Sequence, residues 1–378
     1  MQKIITTLIS CLLAFHSISQ ISTPPNGDNQ RTVTRQYIGS VAWVEVDYHS
    51  PDVTSPRGES REGKIWGQLV PYGFAPLGFG ESNADNPSPW RAGANENTTF
   101  EFSHDVLIDG KKLGAGKYGF FVAPAESGPW TIIFSKDNNH WGSYFYKEEN
   151  DVLRVEVEAK ESPYHEWLTY AFIDRQPTKT TAAMLWENKM LPFSIEVDNF
   201  NEVVLSQIES ELKNGDGFTY NSHVSASNYA SQLGDHERAI KWANSAINDP
   251  FFGQKNFSTL QAKGNALAAA GKKEEAKKIM NEAIKHPTAT SLGVYRYGNG
   301  LIRQGEKEEA LEVLKYGHKK FEGAWPTNLG LAQAYSAKGD YKTALKYANN
   351  ALKNAPNEPN KAFVQGNIDK LKKGESIN

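Results

Sequence analysis

The sequence predicts two structural classes in one chain, an all-β antiparallel sandwich followed by an all-α solenoid of helical hairpins. Three observations predict this division. Apolar and polar residues alternate in short segments before residue 197, a phrase repeats four times after residue 217, and one amphipathic segment separates the two regions. A chain of 378 residues is long enough for two independent cores.

Residues 30–197 are predicted to form the sandwich from about eight to ten short strands. Val44, Val46 and Tyr48 alternate with Glu45 and Asp47, which is typical of a strand with one face in water. Turn residues separate the predicted strands at four places, namely Asp109-Gly110, Ser127-Gly128-Pro129, Asp137-Asn138-Asn139 and Asn188-Lys189.

Four motifs in this region resemble a bacterial family known as domain of unknown function 2911. They are Leu69-Val-Pro-Tyr-Gly73, Trp90-Arg-Ala-Gly-Ala-Asn-Glu96, Gly110-Lys-Lys-Leu-Gly-Ala-Gly-Lys-Tyr118 and Asp151-Val-Leu-Arg-Val155. The resemblance covers nearly the whole of residues 30–197. It implies family membership and no particular reaction.

One group of residues in the sandwich has the chemistry of a ligand site. Arginine offers a planar fork of donors, an asparagine and a glutamate add polar groups, and the aromatic residues offer flat apolar faces. Together they predict a site for a small polar, ring-shaped ligand such as a sugar or a peptide end. The six residues are Trp66, Tyr72, Trp90, Arg91, Asn95 and Glu96. The alternative is structural, with Arg91 and Glu96 paired to each other and the tryptophans filling the core.

No cofactor, metal or catalytic residue is expected from the sequence. The four histidines of the region, His49, His104, His140 and His165, lack a diagnostic metal-ligand spacing. The glycines of 114–119 match a dinucleotide-binding pattern but precede a predicted strand instead of a helix. An alternative to a binding protein is a hydrolase acting on sugar or peptide, with paired carboxylates drawn from Glu96, Glu101 and Asp105.

The repeated phrase after residue 217 places a glycine at Gly234, Gly271, Gly305 and Gly339, each followed five residues later by an alanine. Glycine at these positions is expected to end one helix in a left-handed conformation, and the alanine allows the next helix to pack closely. Pro250, Pro287 and Pro356 then close three of the units, because proline cannot continue a helix.

The spacing of 34 to 37 residues resembles the tetratricopeptide repeat, whose unit is two antiparallel helices. The resemblance covers residues 217–375 and predicts four repeats followed by a cap helix. It implies a groove that binds a protein or peptide partner. An alternative is that the repeats only brace the sandwich.

Residues 198–216 are predicted to form a connecting helix that begins after Asp198 and docks the array against the sandwich. The first region carries 18 Lys and Arg against 29 Asp and Glu up to residue 216, and the second carries 23 against 15. This asymmetry fits either docking between the regions, an acidic ligand for the array, or two unrelated solvated surfaces.

The first 19 residues have the pattern of a cleaved export signal. A lysine precedes an apolar run from Ile4 to Phe15, and the small residues Ser17 and Ser19 fit a cleavage site after Ser19. A periplasmic or extracellular location is therefore expected. The alternative is a lipoprotein anchored through Cys11, the single cysteine. The run is too short to span a membrane, and a net charge of −3 predicts no nucleic-acid partner.

Overall fold

The computed structural model describes residues 29–378, which form two compact units, one up to Phe200 and one from Asn201. The predicted export signal and Cys11 lie outside the described residues. Within the described part of the chain, none of the helices is both long and apolar enough to cross a membrane.

The first unit contains two antiparallel sheets, as the alternation predicts. Its strands are β1 (Gln30–Ile38), β2 (Ala42–Ser50), β3 (Thr99–Phe102), β4 (Val106–Ile108), β5 (Lys111–Leu113), β6 (Gly116–Ala123), β7 (Trp130–Ser135), β8 (Asp151–Val157), β9 (Lys160–Arg175) and β10 (Lys179–Val197). One sheet has the order β1-β2-β3-β6-β7-β8 and the other has the order β5-β4-β10-β9.

Aromatic side chains fill the space between the two sheets. Phe100 and Phe120 of the larger sheet contact Tyr170 and Phe193 of the smaller one, with ring centroids 5.6 to 6.1 Å apart. Both phenylalanines are fully buried. These contacts between inward faces are the core of a β sandwich and confirm the predicted fold class.

The predicted turn at Asn188-Lys189 is wrong. The two strands expected on either side of it form one continuous strand, β10, of 19 residues. Its pairing with β9 shifts register around Glu187, which has a positive φ of 53°. Polar residues at that position therefore mark a β-bulge, which a long strand can absorb without turning back. The predicted turns at Asp109-Gly110 and Ser127-Gly128-Pro129 do connect neighbouring strands.

The second unit is helical. The segment predicted to connect the regions forms its first helix, whose Leu205 packs with Ala226 and Trp242 of the next two helices. The helices are α1 (Phe200–Glu211), α2 (Tyr220–Leu233), α3 (His236–Asn248), α4 (Phe257–Ala269), α5 (Lys273–Lys285), α6 (Ser291–Arg303), α7 (Lys307–Lys320), α8 (Trp325–Ala337), α9 (Tyr341–Lys353) and α10 (Glu358–Lys372).

The repeated glycines end the first helix of each hairpin as predicted. Gly234, Gly271, Gly305 and Gly339 all have φ between 75° and 86°, the left-handed region that glycine adopts at least cost. Inside the hairpins, small residues allow close packing of the two helices. At Gly298, an added Cβ would come within 2.5 Å of Cγ of Leu314 on the second helix.

This close approach predicts opposite effects at two glycines of α6. Gly298→Ala should lower the free energy of unfolding by about 1–3 kcal/mol, because the new methyl group overlaps Leu314. Gly300→Ala should raise it by about 0.5–1 kcal/mol, because no atom lies within 4 Å and alanine favours a helix. Urea unfolding followed by circular dichroism measures both, and equal changes in the two variants would contradict this account of the packing.

Candidate functional site

The candidate site lies in a long excursion, residues 51–98, between β2 and β3. This segment contains only isolated bridges, such as the one that pairs Trp90 with Val122 of β6. The main-chain N–H groups of Trp90 and Val122 donate to each other's carbonyl oxygens at 2.9 Å. The excursion is therefore attached to the larger sheet beside Arg91, which follows Trp90 directly.

Four tryptophans hold the excursion on the sandwich. The ring of Trp66 lies 4.7 Å from that of Trp130, 5.7 Å from Trp186 and 5.8 Å from Trp90, measured between centroids. Trp90 and Trp186 stack at 5.7 Å with an angle of 16° between their planes. Because Trp130 begins β7 and Trp186 lies on β10, this tryptophan cluster joins the excursion to both sheets.

A cavity of about 420 Å³ opens beside this cluster. Its volume falls within the range of small-molecule sites, about 300–1,000 Å³. Its wall is mixed, with prolines and aromatic rings beside charged and polar groups. The lining residues that matter below are Asp52, Arg61, Trp90, Arg91, Asn95, Trp141, Tyr144 and Trp186.

The guanidinium of Arg91 is held in the wall by its neighbours. Its Nη1 donates to the carbonyl oxygen of Asn95 at 2.8 Å, and its Cζ lies 5.6 Å from the ring centre of Tyr144. The same carbonyl oxygen accepts from the N–H of Gly142 at 2.9 Å. A Cβ at Gly142 would come within 3.0 Å of Nη1, so glycine there leaves room for the guanidinium.

Arg91 is half-buried, and no carboxylate of residues 29–378 lies within 4 Å of its guanidinium. The other arginine in the wall differs, because Nη2 of Arg61 lies 3.3 Å from Oδ1 of Asp52 and also donates to the Asp52 carbonyl. A partly buried cation without a counter-ion costs free energy. The cavity thus presents one positive group whose Nε and Nη2 have no acceptor among residues 29–378 and can donate to an anion.

The structure distributes the six predicted site residues unequally. Trp90, Arg91 and Asn95 line the cavity, whereas Trp66 packs behind it in the tryptophan cluster. Tyr72 is exposed and covers Gly67, so that a Cβ there would lie 2.5 Å from the Tyr72 ring. Glu96 is outside the cavity lining.

Glu96 and Arg91 do not pair with each other. The Oε2 of Glu96 lies 3.2 Å from Nδ1 of His49 instead. Asn95 contributes through its main chain, since it has a positive φ of 55° and its carbonyl oxygen receives Arg91 and Gly142. Its side chain forms no hydrogen bond with any residue between 29 and 378.

Sequence reasoning missed Trp186, Tyr144 and Trp141. Trp186 is 1% exposed, and its indole N–H has no acceptor within residues 29–378. Tyr144 and Trp141 come from the loop after β7. The high tryptophan content was a signal, with nine in the chain, but only the pairing of β10 shows which one meets Trp90.

The charged residues of the motif 151–155 belong to another, buried network. The Tyr146 hydroxyl donates to Oδ2 of Asp151 at 2.6 Å, and Arg154 donates to the same oxygen and to the Tyr146 hydroxyl. Burial raises the pKa of Asp151 and, together with that carboxyl, the pKa of Tyr146. Oδ2 of Asp151 accepts from both partners, whereas its Oδ1 has no partner in residues 29–378. Mutual pairing of the tyrosine, the carboxylate and the arginine assigns the network chiefly to stability.

Across 29–378, no set of three or more His, Cys, Asp or Glu side chains is placed to hold a metal ion.

A β sandwich with an arginine-bearing cavity, joined in one chain to an array of helical hairpins, defines a two-module protein. Comparison with family models names both modules. Residues 29–195 match the family described as protein of unknown function DUF2911, and residues 257–285 and 326–358 match the tetratricopeptide repeat. The chain therefore carries a DUF2911 domain followed by tetratricopeptide repeats, which confirms both resemblances. No curated protein matches the chain.

Several solved structures are similar to about two-fifths of the chain. YrrB, described as a TPR protein with an unusual peptide-binding site, is 16% identical over 44% of this chain and 84% of its own, with a TM-score of 0.30. MamA is 19% identical over 41% and 88%, with a TM-score of 0.31. A thermophilic TPR protein of Thermus thermophilus, TTC0263, is 16% identical over 46% and 90%, with a TM-score of 0.33.

The main-chain role of Asn95 predicts a specific mutational pattern. Asn95→Ala should lower the free energy of unfolding by about 1 kcal/mol, because alanine tolerates the left-handed conformation less well. Asn95→Gly should stay within about 0.5 kcal/mol of the parent, because glycine adopts it freely. Thermal unfolding of both variants measures the difference. An equal loss in the two would mean that the asparagine side chain carries the role.

Proposed function

We propose that the sandwich binds a small acidic ligand that carries a carboxylate on or near a ring, such as an acidic sugar, and that Arg91 receives the carboxylate. One observation carries this proposal, namely a half-buried arginine in a cavity wall with no carboxylate of residues 29–378 within 4 Å. Arginine binds a carboxylate through two parallel hydrogen bonds. A bound carboxylate would therefore offset the cost of holding the cation in the wall.

The rest of the wall supports a ring beside the carboxylate. Trp90 lines the cavity as a half-buried ring and is backed by Trp186, which stacks on it and is almost fully buried. Polar side chains such as Arg91 and Ser143 line the cavity beside these rings. Walls that combine apolar rings with a few placed polar groups are typical of small-molecule sites.

The mouth of the cavity favours a ligand that extends outward. Trp141 lines the cavity yet is 55% exposed, and Leu69 and Leu77 are also exposed lining residues. Apolar side chains gathered at one opening mark a binding surface more often than scattered ones do. We therefore infer that part of the ligand lies against Trp141 outside the cavity.

The hydrolase alternative has less support. Glycosidic chemistry needs two carboxylates about 5 to 9.5 Å apart across a cleft. Among the lining residues within 29–378, Asp52 is the single carboxylate, and it is paired with Arg61. Glu96 lies beside His49, and Oδ1 of Asp105 accepts the main-chain N–H of Ala115. The cavity is better suited to binding than to hydrolysis.

The proposal predicts selective binding of an acidic sugar. Glucuronate should bind the protein and change its tryptophan fluorescence, because Trp90 and Trp186 line the cavity. Glucose, which lacks the carboxylate, should bind at least tenfold more weakly. Arg91→Ala should weaken glucuronate binding at least tenfold. Titration calorimetry measures the affinities.

Arg57→Ala is the matched control, because Arg57 is an exposed arginine outside the cavity lining. It should leave the affinity for glucuronate unchanged. A short peptide with a free carboxyl end is the second probe, since it presents the same group. If the folded Arg91→Ala protein bound both acidic probes as tightly as the parent, the proposal would be wrong.

The helical array is a module of a class that binds proteins, because tetratricopeptide repeats stack into surfaces for partner recognition. We propose that its partner is a protein or peptide of the cell envelope. Affinity capture from an envelope extract tests this proposal, with a chain carrying Gly298→Ala as a control whose array is less stable. The absence of any partner, in an extract where a known envelope complex is recovered, would count against it.

We further propose that the protein is exported and that its mature form begins at Gln20. The support is the sequence pattern of the first 19 residues. Mass spectrometry of the protein from culture fractions should find Gln20 at its amino end. Replacing Leu8 and Leu12 with arginine should keep the protein in the cytoplasm, because a charged segment is a poor export signal. A lipid-modified Cys11 would show the lipoprotein alternative to be correct.

A further inference from the structure

The first helix of the last hairpin, α8, is almost completely buried. Ten of its thirteen residues are buried, including the polar Gln333 and Ser336. Part of this burial comes from α6, α7 and α9, which pack on α8. Side chains of α10 pack on it as well, and a short segment after α10, residues 375–378, returns to α8.

This segment contacts α8 as a bound peptide would. The main-chain N–H of Ile377 donates to Oγ of Ser336 at 3.1 Å, and Nδ2 of Asn378 donates to the carbonyl oxygen of Gln333 at 3.1 Å. Oγ of Ser376 lies 3.4 Å from Oγ of Ser336. One main-chain N–H and one side-chain amide of the segment therefore donate hydrogen bonds to α8.

A single side chain supplies the apolar contact. Ile377 is 9% exposed and belongs to the cluster formed by Leu329 and Ala332 of α8 with Val364 and Ile368 of α10. The residues on either side of it, Ser376 and Asn378, are exposed. The segment is therefore attached at one apolar point, flanked by small polar residues.

The site continues beyond the segment. Nδ2 of Asn299 on α6 lies 3.3 Å from Oε1 of Gln333 and 3.1 Å from the Tyr295 hydroxyl. The main-chain carbonyl oxygen of Gln333 thus accepts from the segment, and its side-chain oxygen accepts from Asn299. These groups form a polar row from Ser336 on α8 to Tyr295 on α6, along which a longer peptide could form further hydrogen bonds.

We propose that this face of α8 is an exchangeable peptide site, which residues 375–378 fill in cis and which a partner peptide of the same chemistry fills by displacing them. The matching peptide carries a branched aliphatic residue between two small polar residues. The turn at Gly374, whose φ is 74°, lets the segment leave α8 without unwinding α10. The proposal deepens the interaction role proposed for the array.

The experiment vacates the site in the full chain. Ile377→Asp places a charge in the apolar contact and should release the segment. A fluorescent synthetic peptide of residues 374–378, Gly-Glu-Ser-Ile-Asn, should then bind the variant at least tenfold more tightly than the parent, in which the tethered segment competes. Fluorescence anisotropy measures both affinities.

Two controls separate release from a general effect. Phe363→Asp places the same charge on α10 at a residue that is 54% exposed, and it should bind the peptide no better than the parent. A peptide with Asp in place of its Ile should bind neither chain. Adding Ser336→Ala to the Ile377→Asp chain should weaken peptide binding, because the acceptor of the Ile377 N–H is lost.

Two results would overturn the proposal. Peptide binding that is equal in the parent and in Ile377→Asp would show that the segment does not compete. A folded Ile377→Asp chain that binds no peptide would show that the segment is a fixed cap of the solenoid. If the same variant still captured a partner, the interaction role of the array would stand and only the proposed exchange would be wrong. Parent dimers that Ile377→Asp converts to monomers would support exchange and identify the partner peptide as the segment of a second copy.

Discussion

The packing of Trp66 against three other tryptophans is the interaction on which the cavity depends. Residues 51–98 have no continuous strand pairing to fix them, and separate main-chain hydrogen bonds and side-chain packing hold this stretch of backbone. A buried tryptophan removes about 150–250 Å² from water, which at about 25 cal/mol per Å² amounts to several kcal/mol. A typical hydrogen bond contributes about 1 kcal/mol. Each tryptophan of the cluster therefore contributes more than any single hydrogen bond of the excursion, and the packing of Trp90 fixes the position of Arg91 beside it.

The features that the sequence predicts well are those set by neighbours along the chain. A glycine that ends a helix is determined by the local backbone, so Gly234 and Gly271 could be placed from the repeated phrase alone. The alternation of apolar and polar residues in β2 likewise follows from a strand that has one face buried and the other in contact with water. The turn expected at Asn188-Lys189 failed for the opposite reason. Whether polar residues there make a turn or a bulge depends on pairing with β9, which is distant in the sequence.

The candidate site shows the same limit. Trp90 and Arg91 were recognisable because they stand together in one motif with Asn95. Trp186 stands about a hundred residues later, on a strand whose partner and register decide that it stacks on Trp90. Trp66 is the same type of residue as Trp90, yet it packs against Trp130 behind the cavity wall. Residue type thus predicts the chemistry of a site, whereas only the topology decides which residues of that type form it.

The environment of Arg91 differs from that of several other arginines in the described chain. Arg31 is paired with Asp47, and Arg154 lies in the network with Asp151. Arg238 is paired with Glu202 and holds the pKa of that carboxyl at about 2. Each of these arginines has an anion from the chain itself.

Arg91 has a main-chain carbonyl and an aromatic ring instead, within residues 29–378. Glu96, a carboxylate only five residues away, lies against His49. The other arginines of residues 29–378 that have no carboxylate within 4 Å are exposed to water. Among the half-buried arginines of these residues, Arg91 is the one without an anion and so departs from the pattern of Arg154 and Arg238. Such departures persist at functional sites, because the missing partner is supplied by what binds there. The unpaired guanidinium is therefore better explained as half of an interaction than as a defect of packing.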